Sequence, residues 1–580
     1  MKIRNFLSII AFCGILGSCT DDFNEMNENP TAPTEIPVEY VFTNIARQGL
    51  IDQEYVNTRG NLVFGATYAH YLRIGFAPRS FHASQGYSDA TWDQNFGFYS
   101  RNINDVIART AVGGDSEDAI KNATARIVKA VIVQRSTDLF GDIPYSEAGQ
   151  GSNNSQPKYD TQEAVYKGLL DDLKACVDAI GSATDVVWGP ADPVFEGDVQ
   201  KWKKFANSMR LRMAVRAYDK MPEFAKAHIE DALASGVMES NEESAALNNY
   251  AGNVSDTRNP WHESNRANGP FQAERSLVSF LQDTDDPRLF VWFSKAAPDS
   301  EQREHIVNDT YENLPEDVKG NYTEETYPAL DPDVLYPAEG KYAYRGRPMG
   351  YDYAQTGFNV VTYRHEAKKG NYIWFNYVYS GLGETVIRED GKSFFLTYAE
   401  VCFLKSEIAA RNLANGVSGS AAEWYQKGIE ANMAQWAAEE GNLPGDKLPA
   451  EGTLAANMTS YTAPAFSLEN LYLQRWASYM GANAYEAYAF VRRVGQDALK
   501  AYIPNRQESA GIVFEEMADG TVFPGVTGEK WPYAKGETDG LIPGRLKYGT
   551  PERSLNSVNY EEAASRIGGD EISTKVWWAK

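Results

Sequence analysis

The stretch that most constrains the fold runs from Ala119 to Ala148, where a long amphipathic helix meets an abrupt stop. One helical face collects residues at three- or four-residue spacing: Ile120, Ala123, Ile127, Val131 and Gln134. The helix is predicted to end at Gly141, which tolerates the left-handed conformation of a C-cap. Pro144 cannot continue a helix and keeps Ile143 extended. The chain is therefore predicted to be built around this helix.

Residues 1–18 are predicted to form a lipoprotein signal peptide. Lys2 and Arg4 give it a positive start, and Phe6 to Leu16 form an apolar run that is too short to span a bilayer. The run ends in LGSC, a lipobox pattern that makes Cys19 the predicted lipid anchor. An ordinary secretory peptide with a chance cysteine is the alternative.

Residues 19–37 are acidic and rich in Asn and Pro, with too few apolar side chains to pack, so they are predicted to form a flexible tether. No clear linker interrupts residues 38–580, which are predicted to be one large domain. Within it, helical periodicity fades over residues 241–392, apart from Phe271 to Asp283. Long irregular stretches in compact proteins are usually functional.

The predicted fold class is mainly α, with helical pairs and few short strands. Val38 to Leu50 and Gly60 to Tyr71 form the first predicted pair, and further pairs recur at roughly 35–50 residues, the spacing of tetratricopeptide-like packing. A capping-box pattern places the N-cap of one helix at Asp160, three residues before Glu163.

Charge and cysteine content exclude several classes of partner. The formal net charge of −24 argues against nucleic acid and anionic lipid surfaces, which need Lys and Arg. Beyond the signal peptide no apolar run is long enough for a transmembrane helix. Cys176 and Cys402 lie on helical patterns and are predicted to be buried thiols, with a disulfide between them as the alternative.

No catalytic motif is complete in this sequence. His262-Glu263 and His365-Glu366 lack the second histidine of a zinc-protease helix, and the six histidines form no cluster with cysteine. The chain is therefore predicted not to be an enzyme. A glycosidase needs only two carboxylates, and that alternative stays open.

Several spaced elements resemble the SusD/RagB family of outer-membrane nutrient-binding lipoproteins from Bacteroidetes. The helix ending in LFGDIPY is the first of them. Others are the DPRL sequence at 286–289, the helix at 396–409, the run from Pro543 to Tyr548 and the Trp577-Trp578 pair near the chain end. One departure is that Pro551 follows Tyr548 later than in the usual tyrosine–proline pair.

The resemblance implies a tetratricopeptide-like helical scaffold on which residues 241–392 form a loop-rich elaboration carrying part of the ligand face. It implies a lipid-anchored protein on the outer face of the outer membrane. Such a protein binds oligosaccharides and delivers them to a SusC-like TonB-dependent transporter without catalysis. No cofactor is implied, although a structural calcium ion remains open. Alternatives are a peptide ligand, a surface glycoside hydrolase and a purely structural subunit of the transporter.

The candidate ligand-binding residues are aromatic side chains with hydrogen-bonding neighbours, since sugar rings stack on aromatic faces. The first cluster contains His82, Tyr87, Trp92 and Asn95, the second contains Arg258 and Trp261, and the isolated candidates are Trp292 and Trp374. The Trp92–Asn95 spacing resembles the starch-binding arc of the founding family member. A core role is the alternative for Trp92, because Phe96 and Tyr99 share its helical face.

Overall fold

Helices dominate the computed structural model of the chain. It describes residues 36–51, 54–74, 81–150, 154–254, 257–269, 271–296, 311–313, 323–324, 339–347, 379–504 and 536–580. The α-helices of five or more residues are α1 Val38–Leu50, α2 Gln85–Asp93, α3 Ser100–Thr110, α4 Ala119–Phe140, α5 Gln162–Ile180, α6 Val199–Ala217, α7 Pro222–Ser235, α8 Pro260–Asn268, α9 Arg275–Asp283, α10 Arg288–Trp292, α11 Tyr398–Arg411, α12 Ala421–Glu440, α13 Leu468–Ser478, α14 Ala484–Val494 and α15 Ser557–Ile567.

Two π-helical segments, Asn57–Ala66 and Gln94–Tyr99, lie among these helices. Short α-helical turns occur at Glu54–Val56, Leu454–Asn457 and Glu552–Leu555. The strands are β1 Leu72–Arg73, β2 Ile143–Pro144, β3 Tyr159–Asp160, β4 Ala245–Leu247, β5 Gln272–Ala273 and β6 Ser393–Leu396. They pair as three antiparallel ladders, β1–β5, β2–β3 and β4–β6. The predicted mainly α fold with few short strands is confirmed.

Neighbouring helices in sequence pack against each other as pairs. Helix α4 packs on α5, α5 on α6, α6 on α7, and α11 on α12. All of these helices except α7 start with a side-chain cap, as at Asp118 before α4 and in the capping box of Ser420 and Glu423 before α12. At α5 the predicted N-cap is wrong by one residue, because Thr161 caps the helix while Asp160 accepts hydrogen bonds from the backbone of Tyr145 and Ser146.

Helix α4 lies at the centre of the core and ends as its sequence predicts. Gly141 has φ of 84° and donates its N–H to the carbonyl oxygen of Thr137. Pro144 then sits in β2, which pairs with β3. Ala130, Val131 and the other residues of the last three turns are buried, so α4 is enclosed on all sides by other helices.

Residues from the far end of the sequence hold the end of α4. The backbone N–H of Leu546 donates to the carbonyl of Leu139 at 2.8 Å. The indole Nε1 of Trp578 donates to the buried Asp138 carboxylate at 3.0 Å, and Arg216 and Tyr166 also bond to that carboxylate. Gln134 donates to it as well, at 2.6 Å, and the four donors together offset the cost of burying this charge.

A second buried carboxylate joins three helices. Glu407 of α11 accepts two hydrogen bonds from Arg493 of α14, each 2.7 Å long, and one from Arg475 of α13 at 3.0 Å. Burial alone raises the pKa of Glu407, but the charges and hydrogen bonds of these arginines and Arg411 outweigh it and lower the pKa to about 2. The helices are thus joined by an ionised core network.

The irregular region meets the helical scaffold at β1–β5. Leu72 pairs with Ala273, and Gln272 also forms a bridge to Gly381. Part of this region is more regular than its sequence predicts, since α8 and α10 occur where loops or turns are expected. The proposal that 38–580 is a single domain remains a prediction.

Cys176 and Cys402 are both free and buried, so the disulfide alternative is wrong. Burial raises the pKa of the Cys176 thiol to about 12 and that of Cys402 to about 11, which keeps both protonated at neutral pH. Among the helices within the described ranges, none is both long and apolar enough to cross a membrane. Cys19 and residues 1–18 lie outside the described residues.

Candidate functional site

Trp92 and Asn95 do not form an open platform in this structure. Trp92 is only 3% exposed, and its ring centroid lies 4.3 Å from that of Phe96 and 5.0 Å from that of Phe140. Asn95 donates to the carbonyl of Thr91 at 2.7 Å and accepts from Arg135 at 3.1 Å, so both ends of its amide bond within the protein. The structure therefore places Trp92 in the core, which is the alternative that its sequence left open.

The other tryptophan candidates are also enclosed. Trp261 is 3% exposed, because Asn259 caps α8 and Pro260 starts it, which turns the next side chain into the core. This stretch therefore begins a helix and does not present Trp261 on an exposed turn. Trp292 is fully buried in α10 and packs on Trp436. Trp374 lies outside the described residues.

Arg258 is engaged in ion pairs on the protein surface. Its guanidinium contacts Glu263 at 2.7 Å and Glu389 at 2.8 Å. Burial acts to raise the pKa of Glu263, but hydrogen bonds from Arg266 and Arg258 outweigh it and lower the pKa. Arg258 thus fastens α8 to the chain around Glu389, and its role as a ligand contact stays a prediction.

An exposed aromatic surface does lie beside the first predicted cluster. The Arg59 guanidinium carbon lies 3.4 Å from the ring centroid of Tyr55 and 5.5 Å from that of Tyr87. Tyr55 is 56% exposed and Tyr87 is half-buried. We call these three residues the tyrosine–arginine ridge. Cation–π attraction holds the arginine between the two rings, and one face of Tyr55 remains open to a ligand.

The base of the ridge is the π-helical segment Asn57–Ala66, which contains Arg59. The π-helical conformation is rare among proteins, and where it occurs it is often at a functional site. This segment packs unusually closely on the start of α14. A Cβ atom on Gly65 would lie 2.8 Å from the backbone carbon of Ala484, and Asn61 accepts the N–H of Tyr485 at 3.0 Å. The close packing of Gly65 on Ala484 therefore fixes the position of this segment at the base of the ridge.

The two predicted clusters converge on this same segment. Asn57 donates to the carbonyl of Pro260 at 3.2 Å and to Ser264 at 2.9 Å, which attaches α8 directly to the base of the ridge. Helix α2, which carries Tyr87, packs on its other side. The two predicted clusters are therefore neighbours in the structure, although the tryptophan of each, Trp92 and Trp261, is buried.

His82, five residues before Tyr87 in the sequence, supplies exposed hydrogen-bonding capacity. Its Nδ1 lies 3.2 Å from Glu537 Oε1, and half of the imidazole surface is exposed. Glu537 also accepts the backbone N–H of Ala83 at 3.0 Å, which holds the carboxylate in place. An exposed aromatic face can stack on a sugar ring, and an exposed imidazole and carboxylate can bind hydroxyl groups.

Tyr55, Arg59 and Glu537 were missed from the sequence. A helical i, i+4 spacing of Tyr55 and Arg59 is the signal that could have identified the pair. Glu537 reaches His82 from 455 positions away, and no local pattern indicates that contact. Within the part of the chain that the structure describes, no group of three or more His, Cys, Asp or Glu residues is arranged to hold a metal ion.

Comparison with solved structures gives the fold. A chitin-binding protein is 25% identical to the chain with a TM-score of 0.66, and the match covers 93% of this chain and 99% of that one. A SusD homolog from Bacteroides uniformis is 21% identical, with a TM-score of 0.65 and coverage of 94% and 100%. A chitin-binding SusD homolog from Flavobacterium johnsoniae is 20% identical, with a TM-score of 0.65 and coverage of 93% and 98%.

The family assignment comes from the sequence itself. The SusD-like_2 family model, described as "Starch-binding associating with outer membrane", matches residues 30–515. No protein with a curated description matches the chain. Because the family model spans well over half of the sequence, and the structural matches cover nearly all of it, the chain belongs to the SusD-like family.

Proposed function

We propose that this protein is an outer-membrane lipoprotein, anchored through Cys19 and facing the cell exterior, that binds oligosaccharides and delivers them to a SusC-like TonB-dependent transporter. It acts without catalysis and without a cofactor. Two findings support the glycan ligand: the family is described as starch-binding and outer-membrane associated, and a relative over the whole length is named as chitin-binding.

The observation that carries the proposal is the exposed tyrosine–arginine ridge. Tyr55 offers a flat apolar face to solvent, Arg59 packs against that ring, and His82, which bonds to Glu537, precedes Tyr87 by five residues. A pyranose ring combines an apolar C–H face with polar edges, so stacking and hydrogen bonding can act on it together. Capture therefore needs only non-covalent contacts, and release into the transporter needs no bond to break.

The test is affinity gel retardation of the purified protein by soluble chitin derivatives, starch and other polysaccharides. Tyr55→Ala and Tyr87→Ala are each expected to weaken retardation by about tenfold, since an aromatic contact of about 1.5 kcal/mol corresponds to that factor. Tyr40→Ala is the matched control, because Tyr40 is 69% exposed on α1 and does not belong to the ridge.

Two outcomes would contradict this proposal in different ways. Unchanged retardation in a Tyr55→Ala, Tyr87→Ala double variant would show that the ridge is not the glycan site. The absence of retardation by every polysaccharide would overturn the glycan ligand, and peptides would become the next ligand class to test.

A further inference from the structure

A separate cleft of about 430 Å³ opens between the end of α9, the start of α10, the turn Lys341–Ala343 and residues 457–462. Pockets that bind small ligands usually measure about 300–1,000 Å³. The cleft shares no residue with the tyrosine–arginine ridge or with either cluster predicted from the sequence. The cleft is therefore a cavity, separate from the ridge, that is large enough to hold a ligand.

Part of the cleft lining is apolar and aromatic, and the rest is polar. Leu281 and Leu289 are buried and form part of its floor. The rings of Phe290 and Tyr461 line its sides. The Tyr461 hydroxyl lies 3.3 Å from Asp286 and 3.3 Å from the amide nitrogen of Gln474, so the ring orientation is fixed before a ligand arrives. This arrangement offers a preformed surface for the C–H face of a ring.

The charges of the cleft are neutralised inside the protein. Lys341 Nζ lies 2.5 Å from Asp285 Oδ1 at the rim. The buried Asp286 pairs with Arg288 at 2.6 Å. Because each acid has a basic partner, the cleft carries no unbalanced charge that would favour an ionic ligand.

Uncharged hydrogen-bonding groups complete the rim. Thr284, Asn457 and Ser460 border the opening, and each supplies a hydroxyl or an amide group. The described lining consists of helix ends and turns, so it offers no strand edge to which an extended peptide could add. The chemistry that fits is a neutral ring with an apolar face and many hydroxyl groups.

We propose that this cleft is a second saccharide site that holds one uncharged sugar unit, independently of the ridge. It rests on the proposed function, because it assumes that the protein binds glycans, and it adds that one protein molecule has two separate binding sites. Two sites on one molecule raise the apparent affinity for a long polysaccharide, since binding at the second becomes intramolecular once the first is occupied.

Native mass spectrometry of the purified protein with excess chitotriose, and separately with maltotriose, counts the bound molecules. Two are expected on the wild type with the matching sugar. Ser460→Trp fills the cleft opening without removing a core side chain, and it is expected to reduce the number to one. Ser554→Trp is the matched control: both serines are exposed, and each donates to the carbonyl three residues earlier at 3.1 Å.

The ridge variant Tyr55→Ala separates this inference from the proposed function. If Tyr55→Ala removes one sugar and Ser460→Trp removes the other, both sites stand. If Ser460→Trp leaves the number unchanged while Tyr55→Ala abolishes binding, the cleft is overturned and the ridge stands. If only Ser460→Trp removes binding, the cleft stands and the ridge falls. Binding of neither sugar overturns the cleft, and polysaccharide gel retardation then decides the proposed function separately.

Discussion

Arg59 orders the exposed face of the ridge before a ligand binds. Its guanidinium stacks on the Tyr55 ring and also donates to the Tyr55 backbone carbonyl at 2.8 Å. Two contacts from one side chain limit the rotation of both residues. Since freezing a flexible side chain on binding costs about 0.5–1.5 kcal/mol, a ring that is already held loses less free energy when a sugar stacks on it.

Two glycines in the π-helical segments are expected to respond in opposite directions to alanine. Gly65→Ala places a methyl group 2.8 Å from the Ala484 backbone and is expected to destabilise the fold. Gly97→Ala meets no atom within 4 Å and is expected to stabilise it by roughly 0.5–1 kcal/mol. Urea unfolding of both variants measures these changes, and a destabilised Gly97→Ala would contradict the open space beside Gly97.

Side-chain burial was the least predictable property of individual residues. The sequence around Trp92 was compatible with both interpretations, since a tryptophan beside a loop can be either a binding platform or a core residue. Trp261 was predictable in principle, because Asn259-Pro260 is a start signal for a helix and the residue after it joins a buried face. Tyr55 was missed because it lies in the short turn Glu54–Val56, between two stronger patterns.

At the scale of elements, Glu407 links α11 to α13 and α14. Its pKa in the folded state is about 2, below the ordinary value of 4.5, so its pairing stabilises the fold fully above about pH 4.5. That stabilisation, about 3 kcal/mol, is lost as the pH falls from about 4.5 towards 2. Acid therefore weakens the contacts that Glu407 makes between these three helices.

Glu407→Gln is expected to cost about 3–5 kcal/mol at neutral pH, because it leaves buried arginines without their counter-charge. It should also flatten the loss of stability between about pH 4.5 and 2. Urea unfolding across this pH range checks both effects. Glu562→Gln is the control, since Glu562 pairs with Arg566 on the surface at 3.4 Å. Parallel pH profiles for Glu407→Gln and the wild type would contradict the prediction.

The sequence predicted the positions of helices far better than whether a helix is of the α or the π form. The bounds of α1 and the stop at Gly141 agree with apolar periodicity and with glycine and proline chemistry. The π-helical form of Asn57–Ala66 was not predicted, and the close contacts of this segment are with Ala484 and Tyr485, more than 400 residues along the chain. Helix α10 has only five residues, too few for a period to show.

On the scale of the whole molecule, the C-terminal region and α4 form one core. Trp578→Ala is expected to cost about 3–5 kcal/mol, because the indole is 3% exposed and donates to Asp138. Trp577→Ala should cost less, since Trp577 is half-buried and bonds to Gln162 through its backbone N–H. Calorimetry is expected to show a single transition that shifts to lower temperature in Trp578→Ala. Two separate transitions would contradict the single domain predicted for residues 38–580.

The bond between Asp138 and Trp578 spans 440 positions, and this separation determines when the core can close. Ribosomes make chains from the N-terminus, so the carboxylate is synthesised hundreds of residues before one of its donors. Until that donor arrives, packing α4 fully would leave a desolvated charge short of a partner. Residues 1–577 can therefore supply Gln134, Tyr166 and Arg216 to this carboxylate but not its indole donor. The set of partners around Asp138 is complete only once residue 578 has been made.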